Sequence, residues 1–159
     1  MTLILGIGNR FRRDDGVGPA VADRLAALGI PAQEHSGEGA GLIDAWSGAA
    51  RVVVVDATQS GAAPGTIARL DAVDAAPPRG LFRYSSHLFG LAEAVETARA
   101  LGRLPENLVI WGIEGAEFGF GDTLTPVVAA AAEAVAQRIA ADLVSAGLPP
   151  AGPVTAPPS

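Results

Sequence analysis

The chain has 159 residues, enough for one domain with a substantial core, and 49% of them are apolar. Cysteine is absent, which excludes disulfides, thiolate metal sites and a cysteine nucleophile and fits a cytoplasmic location. A net charge of −6 without a basic cluster argues against nucleic acid as a partner, and neither a secretory leader nor an apolar run of membrane-spanning length is expected.

Thr2–Ile7 is a short, uncharged apolar run, as a central parallel strand covered on both faces requires. It leads into a polar loop that carries Arg10, Arg12 and Arg13 and ends in two adjacent aspartates, Asp14 and Asp15. Pro19 fixes the start of the next helix, because a residue without an N–H is tolerated only in the first turn. The two carboxylates therefore stand at a helix N-terminus, above the C-terminal end of a strand. One Asp would serve as a helix cap; a second is not needed for that.

Val17–Leu28 reads as a helix, with Val17, Val21, Leu25 and Leu28 at helical spacing and Gly29 as its stop. Ile30–His35 is a weak second strand and Gly41–Ser47 a short helix. Arg51–Ala57, built on four consecutive valines from Val52 to Val55, is the strongest strand signal in the chain. Thr66–Leu70 follows a Pro-Gly turn and reads as a strand or hairpin arm. Ala75–Tyr84 should be irregular. A helix is expected over His87–Leu101 with Ser85 or Ser86 as cap, then a strand over Asn107–Ile113 and an alanine-rich helix over Thr125–Ala146. Residues 1–146 thus form a single α/β domain, and residues 147–159, rich in proline, are expected to be a disordered tail. The alternation of strands and helices predicts a three-layer sandwich, its mostly parallel central sheet of about five strands flanked by helices.

Three residues stand out for chemistry. Asp15 closes the loop after the first strand, Asp56 ends the valine run, and His87 begins a helix. Right-handed crossovers tend to set the first and third strands side by side, with the crevice of an open α/β sheet above them. Asp15 and Asp56 would then face one another there, and the loop before His87 could deliver the imidazole. A helix N-terminus favours the neutral imidazole that binds metal, and two carboxylates with one imidazole suit nickel or zinc better than calcium. Glu38 and Glu114 are further rim carboxylates held as supporting candidates, and His35 reads as surface or loop structure.

A dinucleotide site is the competing reading of Gly6-Ile-Gly8, with Glu34 as the ribose acid. Phe11 occupies the place of the third glycine, and aspartates at the helix start would repel a phosphate. No nucleophile elbow or Walker loop occurs.

Taken together, Gly6-Ile-Gly-Asn9, Asp14-Asp-Gly-Val-Gly18, Val54-Val-Asp-Ala57 and Ser85-Ser-His87 resemble the nickel-dependent hydrogenase maturation endopeptidases. Gly112-Ile-Glu114, Phe118-Gly-Phe-Gly121 and Leu124-Thr-Pro126 match the closing segment of that family, so that the resemblance spans residues 2–145. It implies removal of a C-terminal extension from the precursor of a nickel–iron hydrogenase large subunit after nickel insertion. It also implies that Asp15, Asp56 and His87 are both the metal ligands and the catalytic residues, the nickel arriving on the precursor. Asp14 then orients the loop. Asp15 stands where the family often has Glu, which draws the carboxylate back by one methylene. Two schemes are open: the metal polarises the scissile carbonyl or activates water, or the metal is only recognised and Asp15 and Asp56 work as an acid–base pair. A precursor-binding chaperone that senses nickel without cutting would need the same ligands.

Overall fold

The computed structural model describes residues 2–78, 81–82 and 89–147. Its sheet contains β1 (Thr2–Ile7), β2 (Gln33–His35), β3 (Arg51–Thr58), β4 (Ile67–Asp71) and β5 (Asn107–Glu114) in the order β2-β1-β3-β5-β4. All neighbours are parallel except β4, which runs antiparallel along β5 as an edge. The helices are α1 (Val17–Ala27), α2 (Gly39–Trp46), α3 (Leu91–Ala100) and α4 (Pro126–Ser145).

The side-chain alternation of a strand explains the layers. Val53 and Val55 of β3 point to one face, where they pack with Val17, Val21 and Leu25 of α1 and with Val128, Val135 and Ile139 of α4. Val52 and Val54 point to the other, where they meet Leu42 and Trp46 of α2 and Leu91 and Val95 of α3. A continuous valine run is therefore what a strand buried on both faces requires. The result is the expected three-layer α/β sandwich.

Several boundaries move for local reasons. The second strand is only Gln33–His35: the Ile30 N–H bonds to the Leu25 carbonyl and its side chain enters the core, while Pro31 has no N–H to give a ladder. α2 starts two residues early because Glu38 is its cap, accepting from the Ala40 and Gly41 N–H groups, both at 2.8 Å. β3 and β5 each run on past the expected end, to Thr58 and Glu114. β4 is shifted by one residue, to Ile67–Asp71. The expected helix over His87–Leu101 begins only at Leu91, with extended Gly90 as N-cap and the Phe89 carbonyl turned to the Gly39 N–H. His87, Ser85 and Ser86 lie outside the described residues, as does the expected tail from residue 148 onward. Since α3 starts at Leu91, its N-terminus no longer supplies the reason for a neutral imidazole at His87. No helix among the described residues is long and apolar enough to cross a membrane.

Candidate active site

The site is built where β1 and β3 lie side by side and connect to opposite flanks of the sheet, the place where open α/β sheets form a crevice. The chain leaves β1 through Gly8, whose φ is +144°. A Cβ there would come within 1.8 Å of the Asp15 carbonyl oxygen, so glycine is what lets the loop fold back against the strand. The return passes through a 3₁₀ turn, Arg13–Gly16, before α1 begins. Arg13 has φ +47°, the only left-handed non-glycine residue described, and it lies where the chain turns toward the two aspartates.

Asp14 and Asp15 have different jobs. Asp14 is completely buried. It accepts from the N–H groups of Ala116 (2.8 Å), Glu117 (2.9 Å) and Thr125 (2.8 Å), and also from the Thr125 hydroxyl. Burial alone would raise its pKa, but these donors outweigh it and hold the carboxyl below its ordinary value. Asp14 thus ties the first loop to the segment between β5 and α4, as the expectation of an orienting role required.

Asp15 is half-buried, and its Oδ2 accepts from the Asn9 N–H at 3.0 Å. Burial raises its pKa, against the opposing pull of that N–H and of the Arg12 charge. Asp56 belongs to β3 rather than closing it, since the strand continues for two more residues, and it is buried, only 8% exposed, rather than standing on an open rim. Its Oδ1 accepts from the Ala57 N–H at 2.8 Å. Burial, followed by the negative charge of Asp15, pushes its pKa well above that of an ordinary carboxyl. The two carboxylates therefore sense one another.

Both line a crevice of about 50 Å³, with Gly8, Ser36, Phe82 and Glu93 among its walls. That is room for a few waters or one reacting group, but not for a peptide chain. Glu93, in the first turn of α3, was not among the expected candidates; a sequence signal existed in an acidic residue just inside a helix start. A wider groove of about 540 Å³ shares Gly8, Asp15 and Ser36 with the crevice and is walled by Phe11, Glu34 and His35. His35 therefore belongs to the surroundings of the site, its ring Nδ1 accepting from the Gly37 N–H at 2.9 Å.

The other rim carboxylates are structural. Glu38 caps α2. Glu114 accepts from the hydroxyls of Thr58 (2.8 Å) and Ser60 (2.7 Å) and from the Ser60 and Gly61 N–H groups, and so holds the turn after β3. Burial would raise its pKa, but these bonds lower it. Glu34 is paired with Arg10, which also grips Asp23 with two bonds of 2.7 Å. An acid already engaged in this way is not a free ribose acceptor, and the dinucleotide reading has no support. Of the three expected site residues, Asp15 and Asp56 meet in the crevice, and His87 lies outside the described residues. Among the described residues, no group of three or more His, Cys, Asp or Glu is arranged to hold a metal ion.

Comparison with known proteins gives this geometry a context. Residues 37–142 match the family model described as hydrogenase maturation protease. The hydrogenase expression/formation protein HupD of Rhodobacter capsulatus is 30% identical over 133 residues, which cover 80% of this chain and 63% of that protein. The chain thus spans less than two thirds of that relative's length. Among solved structures, the hydrogenase maturating endopeptidase HybD from E. coli superposes with a TM-score of 0.74 at 25% identity, covering 92% of this chain and 93% of that one. The NiFe hydrogenase maturation protease HybD from Thermococcus kodakarensis gives a TM-score of 0.66 at 26% identity over 89% and 97%. The matched model covers most of the sandwich, including β3 and the Asp56 wall of the crevice, and the chain belongs to the hydrogenase maturation protease family.

Proposed function

We propose that this protein is a cytoplasmic endopeptidase that removes the C-terminal extension of a nickel–iron hydrogenase large-subunit precursor once nickel has been inserted. Its partner is that precursor, with no role for nucleic acid or a membrane. The observation that carries the reading is the pairing of half-buried Asp15 with buried Asp56 in the crevice of a maturation-protease sandwich.

The nickel is part of the substrate. Two carboxylates and the imidazole of His87 are a donor set for a divalent ion that keeps open positions, and those positions are filled by the precursor's own ligands. In that arrangement Asp15, Asp56 and His87 read the loaded state of the client. Before the precursor binds, the raised pKa of Asp56 beside Asp15 favours a proton held between the two carboxyls; donation to the nickel would displace it, and the metal would then polarise the scissile carbonyl or activate the water. Two carboxylates that share a site and cannot both ionise readily are suited to such an exchange.

The test is mass spectrometry of nickel-loaded precursor before and after incubation with the protein. A loss equal to the extension is expected, absent with Asp56→Ala. A stable complex with no change in mass would identify a nickel-sensing chaperone instead and overturn the protease reading.

A further inference from the structure

Two of the five phenylalanines in this chain are in water: Phe11 is 70% exposed and Phe120 is 96% exposed. They come from segments far apart in sequence that the fold brings into register. Arg12 and Gly121 form a parallel bridge, with the Gly121 N–H bonded to the Phe11 carbonyl (3.0 Å) and the Arg13 N–H bonded to the Gly121 carbonyl (2.9 Å). The Phe11 carbonyl thus lies against the N–H of the residue that follows Phe120, so the two backbones are neighbours. The Arg12 Nε donates to the Phe118 carbonyl at 3.3 Å. Buried Asp14 bonds to Ala116, Glu117 and Thr125 and so braces both ends of the loop that carries Phe120.

Two exposed aromatic side chains on adjoining segments are a poor solution for a free surface and a good one for an interface. Their position names the occupant. The catalytic crevice, about 50 Å³, admits one reacting group, so the rest of the client must lie outside it. The groove of about 540 Å³ that shares Asp15 with the crevice has Phe11 in its wall. The charges along that wall are already paired, Arg10 being bonded to Asp23 and Glu34. What the groove offers a ligand beside the reacting carboxylate is therefore the Phe11 ring, with Asn9, His35 and Ser36 as polar neighbours.

We propose that Phe11 and Phe120 form the docking ledge for an extended segment of the precursor flanking the cut bond, and that they grip its apolar side chains. The proposal rests on the maturation-protease reading for the identity of the client. The ledge binds and orients the chain; Asp15 and Asp56 carry the chemistry.

The experiment compares the wild-type protein with Phe11→Ser/Phe120→Ser and Phe11→Leu/Phe120→Leu, using nickel-loaded precursor. Both pairs are exposed, so circular dichroism and Tm should match the wild type. Expected are a binding constant and a KM weakened at least about tenfold by serine, an unchanged kcat, and substantial recovery with leucine. Equal binding by the serine variant overturns the ledge, and so does a wild-type protein that fails to bind precursor. Loss of a wild-type dimer in the serine variant, seen by sedimentation without any change in precursor binding, would assign the patch to self-association and also overturn it. A wild-type protein that binds precursor through the ledge but cuts nothing would sink the protease reading and leave the ledge standing.

Discussion

Asp14 and Asp15 are consecutive in the chain, yet their carboxylates serve different parts of the molecule. The first is buried and bonded to N–H groups of the segment between β5 and α4; the second lies in the crevice with Asp56. The 3₁₀ turn, opened by the left-handed Arg13, shapes the chain at this point. Replacing each should separate structure from chemistry. Asp14→Ala leaves several buried donors unmet and is expected to cost about 3 kcal/mol in urea or thermal unfolding. Asp15→Asn keeps an acceptor for the Asn9 N–H, should change stability by less than about 1 kcal/mol, and should reduce cutting at least about 100-fold. An Asp15→Asn protein that cuts normally would remove Asp15 from the site.

Asp56 sets the pH dependence in the opposite sense to Asp14. The pKa of Asp56 is raised in the fold, so between the unfolded value of about 4 and the folded value the native state holds the extra proton, and stability falls as pH rises. Asp14 has a lowered pKa; its contribution is present above about pH 4 and is lost as pH falls through the folded value. Asp56→Asn should therefore raise Tm near neutral pH and abolish cutting. The gain should shrink toward zero as both states become protonated below about pH 4. Melting curves of both proteins across pH 3 to about 8 check this; a variant no more stable than wild type at pH about 7 would show that Asp56 carries no burial penalty.

Gly18 tests what positions the loop. A Cβ there would lie 2.2 Å from the Ile7 carbonyl oxygen and 2.7 Å from that of Val55, both backbone atoms that cannot step aside. Helix propensity alone would make Gly18→Ala stabilising by about 1 kcal/mol. The close approach of α1 to β1 and β3 should reverse the sign and cost about 3 kcal/mol, with loss of activity as the Asp15 loop shifts. A variant with raised Tm would show that the helix start can move without harm.

The protein purified alone should bind nickel weakly. The proposed donors are two carboxylates and one imidazole without a thiolate, and a site that reads the loaded precursor must not fill itself beforehand. Calorimetric titration of metal-free protein with nickel should give no tight stoichiometric step, and cutting should require nickel on the precursor. His87→Ala should abolish that cutting while leaving Tm within about 1 kcal/mol of equivalent stability. Tight binding by the isolated protein, together with cutting of nickel-free precursor, would rule out a substrate-borne metal.

The layers of this fold could be read from local pattern alone. A four-valine run has one good home in a parallel sheet, and the spacing of Val17, Val21 and Leu25 has one good home on a helix face, because burial periodicity follows from backbone geometry. The meeting of Asp15 and Asp56 followed from the same logic, once the first and third strands were set side by side. What the pattern could not supply was the use made of each polar residue. Glu38 proved to be a helix cap, Glu114 the anchor of a turn, and Asp14 a brace across more than a hundred residues of sequence. Nor could a strand-end position say that Asp56 is buried, or local pattern that the segments carrying Phe11 and Phe120 are bridged. A carboxylate's role depends on which donors surround it, and those donors come from segments distant in sequence. Apolar periodicity is a property of neighbours in the chain, whereas hydrogen-bond partners and buried charge belong to neighbours in space.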